Sequence, residues 1–159
     1  HPHVFGDLDI RDAEGVKMNW ERIKKKEKTE RESVLDGVPR ALPALIQAHR
    51  IQEKAASVGF DWPDLKPVLA KIEEEHEELL EALTSGDEDA ITEELGDYIF
   101  SIVNLSRKLG IDAEAALKQS NRKFYRRFRH VEAQYNEDDI HEASLEELDA
   151  HWESAKTQQ

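Results

Sequence analysis

The 159-residue chain contains no cysteine. Thiol catalysis, disulfide bonds and zinc–thiolate sites are therefore excluded, and the absence fits a reducing compartment. No apolar run approaches the roughly 20 residues that a membrane-spanning helix needs, and no signal peptide is visible. The histidines are scattered and support no zinc site. We therefore expect a cytoplasmic protein that has no membrane partner.

Basic residues are also scarce: 22 Lys and Arg stand against 35 Asp and Glu, which gives a net charge of −13. Such a charge argues against nucleic acids and anionic membranes as partners. A phosphorylated small molecule stays possible, because a bound divalent cation reverses the local sign of the potential. The hydrophobic content of 38% supports only a modest core for this length, so we expect a homodimer or a larger homo-oligomer.

No segment has the pattern of a strand, whereas helical periodicity recurs along the chain. Pro43 suits the first turn of a helix, Gly59 and Gly110 suit helix ends, and Asp112 and Ser144 suit N-caps. The fold is predicted to be all-α with a four-helix core. The predicted helices lie at about 18–28, 43–59, 64–83 and 88–109, from 112 onward, and at 144–152.

Two acidic runs lie within predicted helices and flank apolar stripes. The first stripe runs through Ile72, His76, Leu79 and Leu83, and the second through Ile91, Leu95, Ile99 and Ile102. A short loop, 84–87, joins the two helices into an antiparallel hairpin, so the acids converge at the edge of the core. Such a cluster repels itself unless a hard cation compensates it, and Mg²⁺ prefers oxygen ligands. The acidic positions are Glu74, Glu75, Glu78, Glu94 and Asp97.

The alternative interpretation is that these runs are solvated helix faces, since acidic residues are abundant throughout the chain. Asp97 argues against that alternative, because the most apolar stretch of the chain, residues 98–103, follows it directly. His76 falls on the apolar stripe, so we interpret it as a core or interface residue rather than as a ligand.

A faint internal repeat bears on the domain organisation. The segment at Trp20 resembles the segment at Trp152, and a His-Val step precedes each of them, at 3–4 and 130–131. The chain also opens without Met, as a fragment or a processed product would. We therefore expect residues 1–38 to be the tail of an earlier copy and residues 39–159 to be a complete domain.

Several motifs together resemble the MazG-type, all-α nucleoside triphosphate pyrophosphohydrolases. The acidic runs resemble the family's EExxE…ExxD signature, with Glu74–Glu78 as the first element and Glu94–Asp97 as the second. Flanking matches occur at 58–62, 103–105 and 121–128, and the resemblance extends over about residues 34–156. Residues 1–6 resemble the end of the first domain in two-domain members, which agrees with the repeat.

The resemblance implies hydrolysis of nucleoside triphosphates, ATP among them, to the monophosphate and pyrophosphate, as a step in cleaning the nucleotide pool. It implies Mg²⁺ as the cofactor, with Mn²⁺ as a substitute, and a catalytic role for the first acidic run. Glu74 is then an outer ligand or the base that aligns the attacking water, although a solvated helix position is an equal alternative. The implied metal ligands are Glu75, Glu78, Glu94 and Asp97.

Polyphosphate also needs cations other than the metal. The densest basic cluster in the C-terminal half contains Lys123 and Arg127, four residues apart, with Asn121 and Arg126 beside them. The resemblance favours Lys123 and Arg127 as phosphate contacts and Trp152 as a nucleotide contact, and Lys71 is a weaker candidate. The alternatives are surface bases paired with acids and, for the tryptophan, a packing anchor.

One departure from the family lies just before the second acidic element, where some relatives carry Lys but this chain has residues Ala90-Ile91-Thr92. Phosphate contact from that segment is therefore not expected. Two other functions compete with the enzyme: a non-catalytic helical dimer that binds nucleotide or a protein, and a structural oligomer with hydrated acids. Neither needs carboxylates in both pairs.

Overall fold

The computed structural model of the protein describes residues 32–158. Over this range the chain is all-helical, as predicted, and has no strand. None of its helices is both long enough and apolar enough to cross a bilayer. The predicted helix at 18–28 lies outside the described residues. The elements are α1 (Ala44–Ala56), α2 (Leu65–Ser85), α3 (Glu88–Lys108), α4 (Ala113–Glu132), a short 3-10 helix (Asp139–Glu142) and α5 (Leu145–Thr157).

Local sequence explains the helix boundaries. The side chains of Asp87, Asp112 and Ser144 each accept a hydrogen bond from a backbone N–H in the first turn of α3, α4 and α5, respectively. Gly86 ends α2 with a φ of 71°, a left-handed conformation that glycine adopts without strain. Only Gly86 and Asp87 separate α2 from α3, so these two 21-residue helices form an antiparallel hairpin.

The α2–α3 hairpin is the most extensive helix pair in the described part of the chain, and α1 and α4 both contact α3. Helix α5 packs mainly against α4. The buried apolar residues are few and small, and they come from four helices: Val68, Ala82, Val103, Val131 and Ala155. Many large apolar side chains of residues 32–158 are exposed, which leaves a thin core in this part of the chain.

The buried side of α2 differs from the predicted stripe. Val68, Glu75 and Ala82 are the buried residues of this helix, and they recur every seven positions. His76 and Leu83 of the predicted stripe are exposed. The His76 ring makes an edge-on contact with the ring of Tyr98, with 5.6 Å between the centroids. The hairpin therefore buries a carboxylate on its inner side and presents much of its apolar stripe to the outside.

Candidate metal centre

Three carboxylates converge where α2 and α3 face each other. One oxygen from each of Glu75, Glu78 and Glu94 lies within 4.8 Å of the other two. Glu75 and Glu78 are three residues apart, so they project from the same side of α2, and the tight hairpin brings Glu94 of α3 opposite them. The predicted convergence of the two acidic runs is thus present in the structure for three of the four expected ligands.

Asp97 lies outside this group of three. It is exposed on α3, one turn after Glu94, and it lines the same cavity as Glu75. Glu74 is also outside the group; its side chain is 56% exposed and turns toward Lys71. Asp97 and Glu74 therefore border the centre from opposite helices.

The position of Glu78 in this cluster affects its protonation. The limited solvation of Glu78, followed by the charges of Glu75 and Glu94, raises the pKa of the Glu78 carboxyl from 4.5 to about 7. Glu75 and Glu94 each keep one buried oxygen, Oε2, that has no hydrogen-bond partner within residues 32–158. Converging carboxylates that keep buried, unpartnered oxygens form a donor set suited to a hard divalent cation.

Lys71 places a positive charge beside this cluster. Its Nζ lies 3.0 Å from Oε1 of Glu75 and 3.3 Å from Oε1 of Glu74. The hydrogen bond to Glu75, together with the bond to Glu74, raises the pKa of the Lys71 ammonium above its usual value. Lys71, one of the residues predicted to contact nucleotide, therefore adjoins the carboxylates.

A cavity of about 800 Å³ opens beside the carboxylates. Lys71, Glu75 and Asp97 form one part of its wall. The rest comes from Leu35 ahead of α1, from α1, from the loop between α1 and α2, and from the C-terminal half of α3. Sequence reasoning did not identify these wall residues as a site. The matches at 58–62 and 103–105 contain some of these residues, but they indicated only the family resemblance and not a binding site. The additional wall residues include Gln52, Phe60, Trp62, Phe100, Ser101 and Asn104.

The predicted basic cluster lies on α4 and does not line this cavity. Lys123, Arg126 and Asn121 are exposed, and Arg127 is partly buried. The Arg127 guanidinium lies 5.8 Å from the centre of the Trp152 ring. Phe124 packs on the same ring at a centroid distance of 5.0 Å. Trp152 therefore anchors α5 to α4, whatever else it contacts.

Comparison with known proteins agrees with the fold and with the acidic hairpin. Residues 64–132 match the model of the MazG nucleotide pyrophosphohydrolase domain. This match contains α2, α3 and α4, and therefore all three converging carboxylates.

Three similar proteins illustrate the range of relatives. The chain is 46% identical over 136 residues to the nucleoside triphosphate pyrophosphohydrolase of Escherichia coli (strain K12), an alignment that covers 83% of this chain and 52% of that protein. It is 46% identical over 160 residues to the Thermotoga maritima nucleoside triphosphate pyrophosphohydrolase/pyrophosphatase MazG, covering 98% of this chain and 60% of that protein. It is 43% identical over 171 residues to the uncharacterized protein YabN of Bacillus subtilis (strain 168), covering 98% and 33%. The chain thus spans about half to three-fifths of the first two relatives.

Proposed function

This chain belongs to the MazG nucleotide pyrophosphohydrolase family, and we propose that it hydrolyses nucleoside triphosphates to the monophosphate and pyrophosphate with the help of Mg²⁺. The observation that carries the proposal is the convergence of Glu75, Glu78 and Glu94, two of which keep a buried oxygen without a partner in the described part of the chain. A cluster of this kind is costly without a cation. The names of the E. coli and T. maritima relatives support the same reaction.

In this proposal Glu75, Glu78 and Glu94 hold the metal, and Asp97 joins them as the fourth carboxylate. Asp97 is exposed and lines the same cavity as Glu75. A bound divalent cation would neutralise charge on the phosphate oxygens and lower the pKa of a water molecule. Mn²⁺, which accepts the same oxygen ligands, is the proposed substitute.

Proton transfer and phosphate orientation fall to side chains at the edge of the cluster. Glu74 is solvated and already accepts a hydrogen bond from Lys71, so it is suited to align a water molecule and to pass its proton to solvent. The Lys71 ammonium lies on the cavity wall and contributes a positive charge close to the position of the triphosphate.

The basic cluster of α4 supplies the remaining phosphate contacts in this proposal. Lys123 and Arg127 bind phosphate, Asn121 and Arg126 extend the same surface, and Trp152 contacts the nucleotide. The support is chemical, since these donors form a dense patch in a protein whose net charge is −13. Because they do not line the cavity in a single chain, they are expected to act from its rim or from a second copy.

We further propose a homodimer built on the outer side of the α2–α3 hairpin. Leu95, Ile99 and Ile102 of α3 are each about half exposed, and so is Leu83 of α2. Exposed apolar residues that follow two adjacent helices form a surface typical of an interface between copies.

We also propose a domain organisation and a cellular location for this chain. Residues 39–159 form the catalytic domain, and residues 1–38 are the tail of a preceding related domain. The net charge of −13 leaves nucleic acid and membranes as unsuitable partners. A cytoplasmic enzyme that cleans the nucleotide pool fits these properties.

The deciding experiment measures products from a panel of NTPs and dNTPs with Mg²⁺, with Mn²⁺ and with EDTA. Monophosphate and pyrophosphate should form in equal amounts, and only with a divalent ion. Formation of diphosphate and orthophosphate would show a different bond cleavage and would refute the proposal. Nucleotide binding without any product would instead identify a non-catalytic binding module.

A further inference from the structure

Gln52 of α1 is a buried polar residue that nothing in the proposed reaction uses. Only 7% of it is exposed. Its Nε2 donates a hydrogen bond to the backbone carbonyl of Phe100 on α3, at 3.0 Å. Its Oε1 is buried and accepts no hydrogen bond from any residue between 32 and 158. One half of this amide is therefore satisfied, and the other half is a buried acceptor without a donor.

The Phe100 carbonyl fixes which way the amide points. A flipped amide would place Oε1 against the carbonyl oxygen, so that two acceptors would face each other at hydrogen-bond distance. Leaving Oε1 unpartnered costs free energy, because a buried acceptor loses its water without gaining a donor. Such a group on the wall of a cavity is a candidate recognition element for a ligand that brings an N–H.

The wall around Gln52 is suited to a flat aromatic ring. Phe60, Trp62 and Phe100 line the same cavity, and so do Ile51 and Ala55. Phe60 is 82% exposed and Phe100 is 45% exposed, so their rings present free apolar surface. The volume of about 800 Å³ is within the range of pockets that hold small ligands.

The cavity also connects this apolar region with the carboxylates. Glu75, Asp97 and Lys71 belong to the same wall as Gln52 and Trp62. A nucleotide whose phosphates reach the metal centre can therefore place its base among the aromatic residues. No other described charged side chain besides Asp61 and Arg107 lines this cavity, and those two are engaged with each other at 2.7 Å.

We infer that this cavity takes the nucleobase and that Gln52 determines base specificity by accepting a hydrogen bond from an exocyclic amino group. The inference rests on the proposed function and adds a substrate class to it: bases that carry an amino group, in preference to their keto counterparts. A keto oxygen at that position meets the acceptor Oε1 and repels it, so the preference has an attractive and a repulsive component.

The test compares substrates that differ only in this group, dCTP with dUTP and ATP with ITP. Wild-type protein should show a kcat/KM at least about tenfold higher for the amino member of at least one pair. Gln52→Met keeps the length of the side chain and removes the acceptor, so the amino-to-keto ratio should fall toward one. Gln47→Met, on the same helix but outside the cavity wall, should leave the ratio unchanged.

A binding measurement separates this inference from the proposed reaction. The dissociation constants of the non-hydrolysable α,β-imido analogues of dCTP and dUTP are measured by calorimetry with wild type and Gln52→Met, after circular dichroism has confirmed that both are folded. Protein that discriminates between the analogues but releases no pyrophosphate would refute the hydrolysis and keep the base site.

Active wild-type protein with equal kcat/KM for both members of each pair would overturn the role of Gln52 and leave the hydrolysis intact. A ratio that survives in Gln52→Met would overturn it as well. If Gln52→Met does not fold, Gln52→Leu replaces it in both measurements, with the same two outcomes.

Discussion

Arg107 donates two parallel hydrogen bonds to the carboxylate of Asp61, from Nη2 to Oδ1 at 2.7 Å and from Nη1 to Oδ2 at 3.2 Å. Lys108 Nζ donates a hydrogen bond to the same carboxylate, at 3.3 Å. It also donates one to the backbone carbonyl of Trp62, at 2.7 Å. The end of α3 thereby holds the loop that carries Phe60 and Trp62. Part of the cavity wall therefore depends on a polar clamp rather than on apolar packing.

The ion pair between Asp61 and Arg107 should make the free energy of unfolding depend on pH. The hydrogen bond from Arg107 holds the pKa of Asp61 at about 2, below the usual 3.8. Because the folded-state pKa is depressed, the stabilisation is present above pH 3.8 and is lost as the pH falls toward 2. Asp61→Asn should lower the free energy of unfolding by about 1 kcal/mol at pH 7, after allowance for solvent screening.

Urea denaturation of wild type and Asp61→Asn at several pH values between 7 and 3 measures this difference. The difference should shrink below pH 4. Asp64→Asn is the control, because the Asp64 side chain makes no capping hydrogen bond at the start of α2. A difference that stays constant with pH would show that the pair contributes nothing through its charge.

Protonation of Glu78 should produce the opposite trend in metal-free protein. Its pKa is raised from 4.5 to about 7 in the folded state, so the folded protein binds the extra proton in that window. Stability should therefore be highest below pH 4.5 and should fall as the pH rises through 7. Glu78→Gln should remove this fall and should be more stable than wild type at pH 8 in EDTA.

Thermal denaturation in EDTA checks the prediction, with Glu81→Gln, an exposed position on the same helix, as the control. The quantity of interest is the difference in Tm between wild type and variant at each pH. A difference that does not change between pH 4.5 and 8 would contradict the raised pKa.

Loss of a metal ligand should abolish turnover without unfolding the protein. Glu78→Gln, Glu94→Gln and Asp97→Asn should each lose Mg²⁺-dependent pyrophosphate release while keeping the helical circular dichroism signal. Glu93→Gln, next to Glu94 but exposed, should stay active. If a variant retains more than about a tenth of the wild-type kcat, which corresponds to a loss below about 1.4 kcal/mol, the substituted residue is not a metal ligand.

The proposed role of the basic cluster in binding phosphate can be tested by comparing nucleotides that carry different numbers of phosphates. Lys123→Ala should weaken transition-state stabilisation by about 2–4 kcal/mol, and it should affect triphosphate turnover more than inhibition by the monophosphate. Lys118→Ala, an exposed position on the same helix, is the matched control. Arg127→Ala is expected to lose a similar amount, but it also removes the contact with Trp152, so its stability must be measured alongside. An unchanged kcat/KM in Lys123→Ala would move the phosphate site elsewhere.

The proposed dimer makes a prediction about mass. Light scattering at micromolar concentration should give at least twice the 18.3 kDa of one chain. Ile99→Glu should reduce the mass toward that of a monomer, because it places a charge in the exposed apolar surface of α3. Leu145→Glu, which changes another exposed apolar residue, should not. A monomeric wild type that remains active would refute the dimer.

Local signals in the sequence predicted the helices well. Asp112 and Ser144 cap their helices as expected, through hydrogen bonds from Ala115 N and Glu147 N. The i, i+3 spacing of Glu75 and Glu78 fixed their common side, and the short hairpin loop placed Glu94 against them. These features depend on neighbouring residues or on a two-residue connection, so a pattern along the chain is sufficient to find them.

Tertiary features were harder to predict. Periodicity marks a stripe on α2 but cannot tell whether that stripe or the line through Glu75 faces inward, because both repeat at helical spacing. The cavity wall joins Gln52 of α1 and Phe60 of the following loop to Phe100 of α3, which is far from both in sequence. Only the packing angles between helices bring such residues together, and a single sequence does not encode those angles in a readable form.

The ion pair between Lys71 and Glu75 has a thermodynamic consequence. In the proposed reaction, a divalent cation that binds Glu75 would compete with the ammonium for the same carboxylate, and its binding would free Lys71 to attract the phosphates of the incoming nucleotide. The two ligands thereby assist each other, and by reciprocity each raises the affinity of the other by the same factor. Cation and substrate would thus be coupled through a single lysine, which leaves one carboxylate when the metal binds and pairs with the phosphates of the nucleotide instead.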